Sequence, residues 1–176
     1  MFARFTEGAR IAVVRAGILA LDAGRPALGA DLMVSALAEV RPFALASFTA
    51  RAGDVRERVG VGDPRSLLAT LGIDLDAVRR RTMAGTDDPL LWSLRRSRVR
   101  PLRVTLYGPL GRLPLAIDAR KVIEVAAWRP GPVTGERLLW GLLADPANGA
   151  ATILADAGVD LPALVREAGI PISRAA

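Results

Sequence analysis

Asp74 with Asp76, and Asp87 with Asp88, are examples of carboxylates spaced closely enough along the chain to share acid–base work. Each pair sits at a turn or at the start of a helical pattern. Short acidic side chains there cap free backbone N–H groups, and capping accounts for them better than catalysis. The sequence holds no cysteine and no histidine. Disulfides, zinc–thiolate sites, Cys nucleophiles, imidazole bases and every Ser–His or Cys–His arrangement are therefore excluded. A P-loop needs a Gly-rich turn followed by Lys and Ser or Thr. Lys121 is the only lysine, and it lies in Ala119-Arg120-Lys121-Val122. Gly60-Val61-Gly62-Asp63-Pro64 reads as a turn, since neither a third glycine nor a flanking strand accompanies it. No carboxylate spacing suits a metal, so neither a metal nor a cofactor is expected.

The remaining charged feature is a run of arginines. Arg95, Arg96, Arg98, Arg100 and Arg103 fall close together in a chain of net charge +6. Such a run is commonly a solvated linker face. It also suits a docking patch for an acidic protein or for nucleic acid, whose binding would weaken steeply with salt.

Apolar periodicity places these residues on a mostly helical frame. Phe2, Phe5, Ala9, Ala12, Val13, Ala16 and Leu19 share one face over 2–21, with Thr6 a cap and Gly24-Arg25-Pro26 a stop. A second helix spans 30–40 and ends before Pro42. Phe43, Leu45 and Phe48 stand at helical spacing, and Ala44 to Val59 is expected as an extra helix broken at Gly53. Helices at 64–71 and 75–83 follow. Val104 to Leu110 has strand-like then turn-like composition, so a short hairpin is expected there. Beyond Pro114, Ala119, Val122, Ile123 and Ala126 form one buried stripe, which Pro130 and Pro132 cut short. Leu138, Leu139, Leu142 and Leu143 form the next, with Trp140 expected in the core. Two final helices occupy 149–157 and 161–168.

Two cassettes reveal a duplication. Leu71-Gly72-Ile73-Asp74-Leu75-Asp76-Ala77-Val78-Arg79 matches Ala157-Gly158-Val159-Asp160-Leu161-Pro162-Ala163-Leu164-Val165 at an offset of 86. Each reads as helix, glycine turn and Asp-capped helix; Pro162 suits a first turn. Ala9-Arg10-Ile11-Ala12-Val13 matches Ala119-Arg120-Lys121-Val122-Ile123 at an offset of 110. Asp31 to Leu37 matches Glu136 to Leu142 at an offset of 105. The order is the same in both copies, and only the spacers differ.

These blocks, with the start Met1-Phe2-Ala3-Arg4-Phe5-Thr6-Glu7-Gly8-Ala9-Arg10, resemble the N-terminal domain of ClpC/ClpA-type Clp ATPases. The resemblance covers most of the chain outside roughly 41–63 and 86–112. It implies an all-α fold of two pseudo-twofold-related four-helix Clp repeats. Repeat one would span 1–85 with a helical insert at 41–63, a linker 86–112, and repeat two 113–176. The family's Gly-Thr-Glu-His turn here reads Gly29-Ala30-Asp31-Leu32 and Thr134-Gly135-Glu136-Arg137. Some members bind phosphorylated arginine, and by position that site maps onto Thr6 with Asp31 and onto Ala116 with Glu136. Only the first pair keeps a hydroxyl, and its carboxylate is one methylene shorter. Helix capping accounts for Thr6, Asp31 and Glu136 better.

The resemblance implies a non-enzymatic module, free-standing without the ATPase modules. It would bind proteins or peptides, among them Clp chaperone–protease components or their clients, as adaptor, regulator or decoy. Phe43, Phe48, Arg95, Arg96 and Arg98 are candidate partner-surface residues. The insert is expected to pack over the first repeat as an extra helix; the alternative is that it reshapes or occupies a ligand groove. Nucleic acid is the less favoured partner, through the Arg95–Arg103 cluster. Arg15 interrupts the longest apolar stretch, and Arg4, Glu7 and Arg10 break the start, so neither a membrane span nor a signal peptide is expected. A cytoplasmic location follows as the default.

Overall fold

The computed structural model describes residues 1–60, 86, 88–97, 99 and 103–169. The first cassette, the helices expected at 64–71 and 75–83, and Arg98 and Arg100 lie outside the described residues. Among those described, the chain is mostly helical and carries a three-stranded antiparallel sheet. The helical character of the expected all-α fold is thus present, and only its strict all-α form is corrected by the sheet.

The helices are α1 (Glu7–Asp22), α2 (Ala30–Val40), α3 (Ala52–Val59), α4 (Ile117–Trp128), α5 (Gly135–Leu143), α6 (Ala150–Asp156) and α7 (Leu161–Glu167). Thr6 caps α1, its hydroxyl accepting from the Ala9 N–H at 3.4 Å. Arg41 ends α2 with a left-handed backbone (φ 49°) immediately before Pro42, which disfavours helical geometry at the residue it follows. The second cassette forms as its spacing predicts. Gly158 takes φ 80° after α6, and Asp160 caps α7 by accepting from the Ala163 N–H at 3.1 Å.

The sheet is β1 (Ser93–Arg96), β2 (Val104–Gly108) and β3 (Gly111–Pro114), in that spatial order. The hairpin expected from composition is β2–β3. The added strand β1 pairs along β2, and because Leu94 alternates with polar neighbours it puts one apolar side chain on the inner face beside Leu106. Leu94, Val104, Leu106 and Leu113 are buried, while Arg95, Tyr107 and Arg112 point outward. The inner face lies on α1. A Cβ at Gly17 would collide with Leu106, and Trp92 stands just beyond it. Trp92 is buried, and its indole N–H donates to the Thr86 carbonyl at 2.7 Å. Trp92, Leu94, Val104 and Leu106, all within 86–112, are thus part of the core.

The insert is also corrected. Residues 41–51 are irregular, and only Ala52–Val59 is helical. Gly53 sits inside the first turn of α3 and breaks nothing. Phe43 and Phe48 do not share a helix face; they meet edge to face at 4.9 Å, and Phe48 is 2% exposed. A buried Phe48 offers no surface to a partner. With Ala50 and Val55 it belongs to the buried core, and α3 packs against α2 and α6. Glu167 of α7 fastens the same loop, accepting from the backbone N–H groups of Ala46 and Ser47, both at 2.8 Å, and from the Ser47 hydroxyl.

Truncation of Phe48 to Ala removes a buried ring and should destabilise the protein by about 3–5 kcal/mol. Deletion of 43–59 should abolish the cooperative thermal transition followed by circular dichroism. A deletion variant that melts like the parent would show that the insert is separable from the core.

Candidate functional site

Two crossings of helix starts organise the molecule. Phe5, just before α1, bridges in parallel to Val133, just before α5. Leu28, just before α2, bridges in parallel to Leu115, just before α4. Phe5 and Leu115 are separated by the same offset of 110 that aligns the sequence blocks, and Leu28 and Val133 by the same 105. The N-caps Thr6 and Ala116 keep the first offset, Gly29 and Thr134 the second. Each crossing therefore joins the first helix of one half to the second helix of the other.

At the α1–α5 crossing, the Thr6 hydroxyl also donates to the Val133 carbonyl at 3.3 Å. Thr134 caps α5 by accepting from the Arg137 N–H at 3.4 Å, and Glu136 lies in the first turn, where a carboxylate suits the helix dipole. Two guanidinium groups brace the short turn before it. Arg4 donates to the carbonyls of Arg129 at 2.7 Å and Gly131 at 3.0 Å, and Arg137 donates to those of Arg129 at 3.1 Å and Pro130 at 2.9 Å. Arg129 stacks 4.9 Å over Trp140, which is half-buried rather than core. Pro42 and Phe43 lodge in this crossing. A Cβ at Gly135 would lie 2.6 Å from the Pro42 carbonyl oxygen, and one at Gly8 would lie 3.1 Å from the Pro42 Cβ.

At the α2–α4 crossing, Gly29 supplies no side-chain cap. Asp118 of α4 does so from the other half, accepting from the Ala30 N–H at 3.1 Å through Oδ2 and from the Ala119 N–H at 2.7 Å through Oδ1. Asp31 crowds Gly29 from within α2 and pairs with Arg25 at 3.7 Å. Ile117 is 70% exposed at the start of α4. The two bridges set which of the residues mapped from the resemblance adjoin which helix. Thr6 adjoins the helix that carries Glu136, and Asp31 adjoins the helix that follows Ala116. Neither Asp31 nor Glu136 is an N-cap; both lie in first turns.

The arginine run divides. Arg96 pairs with Glu124 at 2.9 Å. Arg95 points from the outer sheet face with its guanidinium 5.7 Å over the Tyr107 ring. Together with Ser97, Arg103, Thr105, Arg112 and Pro114, these residues line a concavity of about 470 Å³. Arg112 joins it only because the β2–β3 register sets it opposite Tyr107. No sequence signal linked Arg112 to the run, and none marked Asp118 as a cap in trans, because both depend on contacts between distant segments.

Three carboxyls are held below their ordinary range. For Glu39, burial opposes the charge, but hydrogen bonds and attraction from Arg15 and Arg56, both at 2.6 Å, outweigh it. Glu167 is lowered by the Ser47 hydroxyl and by the Ser47 and Ala46 N–H groups. Asp145 is lowered by Lys121 at 3.0 Å and by the Ala147 N–H. Among the described residues no cluster of three or more acidic side chains could hold a metal, and no helix is long and apolar enough to cross a membrane. No family model, curated protein or solved structure matches the chain.

A carboxyl lowered in the folded state stabilises above its unfolded pKa and loses that contribution as pH falls through the folded value. For Glu39 and Glu167 the contribution is complete above the ordinary value of 4.5 and fades below it. Replacing Glu167 by Gln should lower the melting temperature at neutral pH, and the gap from the parent should close as the buffer is taken into the acid range. A gap that is constant with pH would mean that its charge plays no part in holding the insert.

Proposed function

We propose that the chain is a non-enzymatic, cytoplasmic protein- or peptide-binding module built from two Clp-like repeats, serving as adaptor, regulator or decoy for Clp chaperone–protease components or their clients. One observation carries this reading: the two bridges are exchanged by the same two offsets that align the halves in sequence. Two copies exchanged in this way accord with the pseudo-twofold pair of repeats that the Clp resemblance implies. Pro42 and Phe43 support a difference between the two crossings, because they fill the one between α1 and α5. The binding role then falls to the α2–α4 crossing. Exposed Ile117 offers apolar contact there, and Asp31 and Asp118 offer carboxylates to peptide N–H groups or cationic side chains.

Quantitative interaction proteomics on the tagged chain tests this. Clp chaperone or protease subunits, or known proteolysis clients, should be enriched with the parent. They should be depleted several-fold with an Ile117→Ser, Asp31→Ala variant whose melting temperature is close to the parent's. Recovery of none of these classes, or equal recovery by both proteins, would contradict the proposal.

A further inference from the structure

The outer face of the sheet carries a second, differently charged surface. The strand register aligns Arg95 with Thr105 and Thr105 with Pro114, and sets Tyr107 between Ser93 and Arg112. Arg103 leads directly into β2. Four arginines, with Ser97, Thr105 and Tyr107, thus line one concavity of about 470 Å³, and among the described residues no acidic one lines it.

Elsewhere in the described structure, cations near carboxylates are paired with them: Arg15 and Arg56 with Glu39, Arg25 with Asp31, Lys121 with Asp145. Within the concavity only Arg96 has such a partner, Glu124. Among the described residues, no carboxylate pairs with Arg95, Arg103 or Arg112. Like charges gathered in one hollow repel, and an anionic ligand relieves that repulsion.

The single aromatic side chain helps to choose the anion. Tyr107 is 42% exposed, but its own Arg95 occupies a face of the ring at 5.7 Å. Single-stranded nucleic acid is held by aromatic faces on which successive bases stack. One ring already stacked by a guanidinium is a poor platform for that. It leaves a hydroxyl and a fixed guanidinium, and guanidinium is the group whose planar fork matches a carboxylate. The volume admits more than one carboxylate side chain, as an acidic run would present.

We propose that this concavity docks an acidic segment of a partner protein, whose Asp and Glu carboxylates pair with Arg95, Arg103 and Arg112 while Thr105 and Tyr107 contribute hydroxyl hydrogen bonds. The proposal does not depend on the Clp-like reading, since none of these residues belongs to the helix-start crossings except Pro114 at the sheet's end.

Fluorescence anisotropy of the full chain with a labelled Asp/Glu-rich peptide tests it, alongside the Asn/Gln counterpart peptide and a single-stranded oligonucleotide of matching length. The acidic peptide should bind most tightly and should weaken as salt is raised. Arg95→Gln with Arg112→Gln should weaken it by about tenfold, as the loss of two surface ion pairs would. Arg51→Gln with Arg58→Gln removes equal charge from exposed positions on and beside α3 and should change it little. Tighter binding of the oligonucleotide, equal loss in both double variants, or no binding at low salt would each overturn the proposal. The Ile117→Ser, Asp31→Ala variant should keep the peptide affinity, which separates this surface from the other.

Discussion

Four backbone hydrogen bonds tie the ends of the chain's two halves together where their helices begin. Thr6 N–H donates to the Val133 carbonyl at 2.9 Å, and Val133 N–H to that of Arg4 at 2.7 Å. Leu28 N–H donates to the Pro114 carbonyl at 2.9 Å, and Ala116 N–H to that of Leu28, also at 2.9 Å. Phe5, Leu28 and Val133 are buried at these points, so their backbone groups must pair within the protein or remain unsatisfied. The bridges fix where four helices start. Their first turns then face each other in pairs, and capping passes from one half to the other, as it does from Asp118 to Ala30.

The remaining elements attach to this frame. The sheet is continuous with it, because Leu115 N–H donates to the Val104 carbonyl at 2.9 Å while Leu115 itself bridges to Leu28. β3 therefore delivers α4 to its crossing, and Gly17 lets the inner sheet face rest on α1. The insert attaches at the opposite polarity of charge. Glu39 gathers Arg15 and Arg56 beneath it, Glu167 takes the loop from the side, and Arg41 donates to the Ala50 carbonyl at 2.9 Å. Small residues sit where α5 meets α4. Gly141 of α5 lies against the backbone of Val122 in α4, and the positions equivalent by offset, Ala36 and Ala12, are buried alanines.

Local chemistry made much of this legible in the sequence. Thr6, Pro42, Gly158 and Asp160 act through neighbours a few residues away, and their roles follow from type and position alone. The offsets of 110 and 105 were legible for the same reason, as short matched helical faces. What escaped depends on distance. Leu94 forms a strand only because β2 is there to pair with it. Phe43 and Phe48 keep an apolar spacing that suits a helix, yet Pro42 lodged against Gly135 and the anchor at Glu167 hold the chain irregular. The candidate sites divide likewise. Thr6 and Glu136 lie at one crossing and Asp31 at the other, while Arg112 and Asp118 enter only through the register and the crossing.

Amide hydrogen exchange followed by NMR tests the interlocked frame most directly. Thr6, Leu28, Ala116 and Val133 should exchange only through global unfolding, with one shared free energy that follows denaturant with the full unfolding slope. If Thr6 and Val133 exchange through a local opening while Leu28 and Ala116 stay protected, the two crossings are independent, and the chain is not held as an interlocked pair of repeats.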